Sequence, residues 1–181
     1  MVAGKVLYTR DEYKCMYSRG GDEYCCPYCH TFSTRVPNPS YIVPPRGSDI
    51  RITLDGFYVV SQKFKDFCES NSYQGIVFYQ FPLSPGHYCM DIVSPVIPIK
   101  LGTVTGASLC PYCGKQEYLH GVGINQLPGF QLNSDDFIGR SDLELGAGDA
   151  QQYLILIGLE TERKFREAKL KGLIFDNLYN D

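Results

Sequence analysis

Cysteine carries the clearest chemistry in this sequence. Two copies of one tetrapeptide, Cys26-Pro27-Tyr28-Cys29 and Cys110-Pro111-Tyr112-Cys113, each place two thiolates on a tight turn. Together they supply the four sulfurs of a closed tetrahedral Zn²⁺ site. In a Cys-x-x-Cys turn the two middle residues reverse the chain, so both sulfurs reach one ion. The residue after the second Cys often needs a positive φ, so that backbone N–H groups point at the sulfurs. Gly114 meets that need without strain, and His30 is among the other residues that tolerate it. The doubled spacing predicts that Cys26, Cys29, Cys110 and Cys113 share one structural zinc.

Cys-Pro-Tyr-Cys is also a redox motif of glutaredoxin-like proteins, where the first Cys opens a helix and has a lowered pKa. That chemistry needs a buried strand before the motif and an amphipathic helix after it. Before Cys26 stands Gly20-Gly21-Asp22-Glu23-Tyr24, which is no buried strand. After Cys29, Pro37, Pro39, Pro44 and Pro45 block a long helix. After Cys113, Gly114 and Gly121-Val122-Gly123 do the same. Shared zinc is the better reading of the cysteines.

The elements that position them follow from periodicity. The 181 residues suit one domain, or two small halves around a shared core. Residues 5–17 alternate loosely and read as a short strand or turn. Pro37 to Gly47 reads as an extended connector. Ile50, Ile52 and Leu54 alternate, and Phe57-Tyr58-Val59-Val60 is a β-rich run. Ser61 is positioned to cap a helix over Gln62 to Asn71 with Phe64, Phe67 and Cys68 on its apolar face. Gly75 ends it, and Ile76-Val77-Phe78-Tyr79 starts a strand. Cys68 reads as core packing, and His87 and Cys89, lacking spaced partners, as surface or packing residues. Prolines break residues 82–109 into edge strands or turns. Leu127-Pro128-Gly129-Phe130 is turn chemistry, and residues 133–149 read as an acidic loop. Tyr153 to Ile157 is a strand buried on both faces. Thr161 is a candidate cap for a helix to about Lys171 with Phe165 and Ala168 inward. Leu173-Ile174-Phe175 is the last strand.

The two halves match in order: Cys pair, irregular region, apolar strand, helix, Gly, apolar strand. Lys63-Phe64-Lys65-Asp66 answers Lys164-Phe165-Arg166-Glu167, and Gly75-Ile76-Val77-Phe78 answers Gly172-Leu173-Ile174-Phe175. The expected fold is α+β: one compact domain over 1–181, made of two pseudo-repeated β-α-β halves, about 1–101 and 102–181. A shared, zinc-ribbon-like site of four cysteines would join them.

This layout resembles the bacterial double-CxxCG family, which includes immunity proteins that protect cells from toxins delivered by their kin. The resemblance rests on the two Cys pairs, on Val59-Val60-Ser61 and Phe64 with Gly75 to Phe78, and on the echo from Leu154 to Phe175. Asp136-Phe137-Ile138-Gly139-Arg140 also looks like a degraded Asp-Leu-Phe-Arg segment. One departure is His30, where the family has Gly; this leaves open whether His30 competes for the metal. The resemblance implies binding and neutralising a cognate toxin, one to one, and no catalysis.

Other function classes fit less well. The net charge of −3 and pI of about 5.6 argue against a nucleic-acid surface, and Lys and Arg are scattered. No nucleophile elbow, phosphate-cradling glycine loop or His-Glu metalloprotease pattern occurs. A four-Cys zinc keeps no open position, so neither an enzyme nor a small-molecule substrate is expected. The start of the chain lacks a secretory apolar stretch, and its longest apolar run, Leu154 to Leu159, is too short for a bilayer. Metal-bound thiolates in a reducing cytoplasm follow as the expected setting. A zinc-ribbon adaptor for nucleic acid or protein is the alternative, and a thiol-disulfide enzyme a more distant one. For a toxin partner, complementary charge would speed docking. Asp135, Asp136, Asp142, Glu144 and Asp149 are the candidate contact residues.

Overall fold

The computed structural model describes residues 2–10, 14–17, 24–45, 47–106, 109–126 and 134–180. In chain order the strands are β1 (Val2–Thr9), β2 (Ile50–Ile52), β3 (Tyr58–Ser61), β4 (Ile76–Gln80), β5 (His87–Ile92), β6 (Val96–Ile97), β7 (Ile99–Gly106), β8 (Tyr118–Gln126), β9 (Ile138–Ala147), β10 (Gln152–Ile157) and β11 (Leu173–Asn180). Two α-helices, α1 (Gln62–Ser70) and α2 (Leu159–Glu167), and a short 3-10 helix, Gly148–Ala150, complete the described elements.

The strand β10 explains the layering. Its unbroken apolar sequence splits by parity, as side chains alternate across a strand. Leu154 and Leu156 join Val6, Ile97, Ile99, Leu101, Leu119 and Leu178 in one core. Tyr153, Ile155 and Ile157 face a second core with Leu7, Ile50, Tyr58, Phe64, Met90 and Phe165. The expectation of a strand buried on both faces holds, although its neighbours β1 and β9 are both antiparallel to it.

Seven strands form one sheet in the order β6-β9-β10-β1-β11-β8-β7, and a further β8–β9 pairing brings its ends round. The ring β9-β10-β1-β11-β8 is a nearly closed, mostly antiparallel barrel whose strands all feed the first core. The pairs that complete it are short. β11 meets β8 at Tyr179–Asn125 and Asn180–Gln126, and β8 meets β9 at Tyr118–Ala147 and Leu119–Gly146. A smaller sheet, β2-β3-β5-β4, packs Ile50, Ile52, Tyr58, Val60, Met90 and Ile92 onto the second core. Its far face carries Val59 and Cys89, which the Pro-rich connector covers through Tyr41 and Val43. The helices meet in the second core, where Phe165 lies 5.6 Å from Phe64 and 5.0 Å from Phe67, ring centre to ring centre.

This architecture overturns the expected α+β fold of two β-α-β repeats. The protein is mostly β, and its pairings ignore the proposed halves. β1, from the first, is central to the sheet of β10 and β11, while β7 runs across residue 101. The stretch expected to be an acidic loop is largely the strand β9. Its glycines disguised it, although Gly139 is needed there: a Cβ would sit 2.9 Å from the Pro95 carbonyl oxygen. Likewise a Cβ on Gly121 in β8 would come within 2.5 Å of Leu101.

The two helices are capped in different ways. Ser61 caps α1 as expected, its Oγ accepting from the Phe64 N–H at 3.2 Å. Thr161 does not cap α2. The cap residue is Gly158, and the buried Thr161 hydroxyl instead shares its one proton between the Phe137 carbonyl at 2.9 Å and the Asp136 carboxylate at 3.1 Å. The helix also stops at Glu167, short of Lys171. The turn read at Leu127 to Phe130 lies outside the described residues.

Candidate metal centre

Each Cys-Pro-Tyr-Cys turn is the tip of a small hairpin closed at its base by one bridge, Cys25–Phe32 in the first and Leu109–Gln116 in the second. Proline after the first Cys presets the turn dihedral. The two tips then repeat the same hydrogen bonds. Cys26 N–H donates to the Thr31 carbonyl at 2.9 Å and His30 N–H to the Cys26 carbonyl at 2.9 Å. In the second, Cys110 N–H donates to Lys115 at 2.8 Å and Gly114 N–H to Cys110 at 2.9 Å. The residue after the second Cys is left-handed in both, φ 58° at His30 and 72° at Gly114. The sequence expectation for that position is met, and His30 serves through its backbone.

The sulfurs of Cys26, Cys29, Cys110 and Cys113 all lie within 4.8 Å of one another. Cys26 and Cys110 are 3.7 Å apart and Cys29 and Cys113 3.5 Å apart, Sγ to Sγ. A tetrahedral ion with metal–sulfur bonds of about 2.3 Å requires sulfur separations of about 3.8 Å. The contacts are far too long for disulfides, at about 2.05 Å, and match ligands around one centre. These four residues could hold a metal ion, and among the described residues they are the group that could. His30 is not a member.

The centre has a buried side and an open one. Cys26 and Cys110 are 5% and 2% exposed, whereas Cys29 is half-buried and Cys113 exposed. Partial burial opposes ionisation of Cys29, but the hydroxyl and N–H of Thr31 and the neighbouring thiols outweigh it and lower its pKa to about 6. At Cys113 the Lys115 N–H favours the thiolate, but desolvation and the three adjoining sulfurs push the thiol up to about 12. Both second-position sulfurs thus face an N–H two residues on, the arrangement that a left-handed residue between them creates. Over the tips, the rings of Tyr28 and Tyr112 stack with centroids 5.4 Å apart and planes at 29°.

Residues that sequence reasoning missed tie the hairpins to the body. Lys115 Nζ donates to the Phe32 carbonyl at 2.9 Å, linking one hairpin to the other, and lies 3.5 Å from Glu144. Arg35 approaches the same carboxylate at 4.0 Å. Gln151 Nε2 donates to the Gln116 carbonyl at 2.7 Å. Lys115 follows the second motif closely enough to have been suspected; nothing local marks Gln151.

The five acidic candidates do not gather into one patch. Asp136 sits before β9 and Glu144 towards its other end, separated by roughly 25 Å of extended chain. Asp136 accepts from Tyr73 at 2.6 Å, Thr161 at 3.1 Å and Lys164 at 2.6 Å, an internal network. The Asp142 carboxylate accepts from the Ile99 N–H at 3.0 Å. Glu144 belongs to the Lys115 and Arg35 pairs, while Asp135 and Asp149 are exposed. Elsewhere, burial pushes the Cys68 and Cys89 thiols up to about 12, consistent with packing roles. His87 is held below its usual pKa by burial and then by the Arg51 charge. No helix among the described residues is long and apolar enough to cross a membrane.

Comparison with protein-family models and with curated proteins finds no match.

Proposed function

We propose that this chain is a non-catalytic binding protein, an immunity protein that neutralises a cognate bacterial toxin one to one, with a single structural Zn²⁺ at the four sulfurs. The observation that supports a structural rather than a catalytic ion is the closure of the site. Four sulfurs within 4.8 Å of one another would complete the shell of a tetrahedral ion and leave no position on it for water or substrate. An ion held in that way contributes folding energy and rigidity. Zn²⁺ suits a centre with one exposed ligand, Cys113, because it has no redox chemistry of its own. Outside the shell stand Tyr28 and Tyr112, 56% and 73% exposed, rigid aromatic side chains of the type that anchors interfaces. Toxin neutralisation itself rests on the ordered resemblance of the Cys pairs and the Val59 to Phe78 and Leu154 to Phe175 stretches. A reducing cytoplasm is the setting that keeps such thiolates available.

The test is co-expression. Each reading frame neighbouring this gene is induced in a bacterial host with and without this chain. The reading expects one of them to arrest growth, this protein to relieve the arrest, and the two to purify as a one-to-one complex. If none is relieved, the immunity reading fails. Binding to nucleic acid that weakens steeply with salt would favour the adaptor instead.

A further inference from the structure

The centre is asymmetric in a way that the closed-site reading does not use. Its two solvent-facing sulfurs, Cys29 and Cys113, belong to different hairpins, are 84 residues apart in sequence, and lie 3.5 Å from each other. The other cross-hairpin pair, Cys26 and Cys110, is 3.7 Å apart but shielded at 5% and 2% exposure. An oxidant arriving from solvent therefore meets Cys113 first and finds Cys29 as the adjoining accessible thiol.

From this we infer that Cys29 and Cys113 form an oxidative modification site, at which a peroxide converts the metal staple into a covalent one between the hairpins. The inference rests on the metal reading above. In the metal-loaded protein the four sulfurs would be thiolates; the Cys113 thiolate attacks hydrogen peroxide, the O–O bond breaks, and a sulfenic acid and hydroxide form. Sulfur of Cys29 then attacks the Cys113 sulfur, the S–O bond breaks, and a second hydroxide leaves as the S–S bond forms. The two hydroxides take up two protons to give two waters, and two electrons pass from the sulfurs to the peroxide. Cys26 and Cys110 would then be the two thiolates left of four, too few to hold a Zn²⁺, which would leave as the hydrated dication.

The direction of the new bond is what distinguishes this site from a redox Cys-x-x-Cys. A disulfide within either motif would free the hairpins from each other. A Cys29–Cys113 bond keeps them joined, with Lys115 still donating to Phe32 across the same junction at 2.9 Å. It also leaves Tyr28 and Tyr112 stacked. The oxidised protein retains its fold and its outer face while losing its ion.

The experiment treats metal-loaded protein with hydrogen peroxide and follows three readouts: released metal with a chromogenic chelator, circular dichroism, and disulfides by non-reduced tryptic mapping. Cleavage yields one peptide ending at Arg35, with Cys25, Cys26 and Cys29, and another ending at Lys115, with Cys110 and Cys113. The expected result is the two peptides joined, fragmentation placing the bond at Cys29–Cys113, one ion released per link, an unchanged fold, and reversal by dithiothreitol. Bonds within either motif, a Cys26–Cys110 bond, over-oxidised Cys113 without a bond, or an ion that stays in place would each overturn the inference. Metal content is measured before oxidation. A metal-free starting protein defeats the zinc reading, while the map still tests the Cys29–Cys113 bond.

Discussion

Tyr28 and Tyr112, one from the tip of each hairpin, stack with ring centroids 5.4 Å apart and planes at 29°. The stack repeats outside the cluster of four sulfurs what the sulfurs do within it: equivalent positions of two remote motifs meet face to face. Such a contact forms only when both hairpins are docked, so it reports their association.

An aromatic pair is worth about 0.5–1.5 kcal/mol beyond area burial. Both rings are largely exposed, so the lower end of that range is expected. In a double-mutant cycle, Tyr28→Ala and Tyr112→Ala should each destabilise slightly, and the double variant by less than their sum. Strict additivity in denaturant unfolding would show that the rings do not support each other.

Phe165 joins the two helices. It is fully buried and contacts Phe64 and Phe67 of α1 as well as Phe175 of β11, 6.5 Å away. Phe165→Ala should cost about 3–5 kcal/mol, through lost transfer energy and a cavity that the sheets cannot close. Phe165→Leu, which keeps most of the volume, should cost far less. Urea midpoints at unchanged slope give the comparison. An alanine variant of wild-type midpoint would mean that this core does not hold the helices.

Asp136 makes acid stability dependent on one network. Desolvation opposes its ionisation, but Lys164, Tyr73 and Thr161 outweigh it and hold the carboxyl below its ordinary value of 3.8. A lowered folded-state pKa contributes stability that is present above the unfolded value and lost as pH falls through the folded one. Asp136→Asn should therefore cost about 1–3 kcal/mol at neutral pH, from lost charge-assisted bonds. It should also flatten the stability curve below about pH 4. Parallel pH curves for the variant and the parent would remove Asp136 from the account.

The hairpins were legible in the sequence because a metal site of this type is written locally. Ligand spacing, Pro27 and Pro111, and the demand for positive φ at His30 and Gly114 all lie within a few residues of each sulfur. Ser61 and the two faces of β10 were legible for the same reason. The barrel was not. Its closure depends on β8–β9 and β11–β8 pairs that no short window encodes, and Gly121 and Gly139 are there for close approach by Leu101 and Pro95. Asp142 and Glu144 read as loop residues, yet β9 carries them, one accepting a backbone N–H and the other pairing with Lys115. The helices misled through Thr161, a good cap by type whose hydroxyl is used in the core.

Removal of the ion should cost stability that grows with the logarithm of free metal over its Kd. A ligand at a thousand times its Kd stabilises the folded state by about 4 kcal/mol. Stripping with a strong chelator should lower Tm by several degrees, and Zn²⁺ should restore it. A chelated protein of unchanged Tm would contradict a stapling role.

The most direct test is metal stoichiometry by native mass spectrometry on the parent and on Cys26→Ser and Cys110→Ser. One zinc per chain is expected in the parent and none in either variant, although the two residues belong to different hairpins. A folded, metal-free parent, an ion retained when either hairpin is broken, or two ions per chain would contradict the shared zinc.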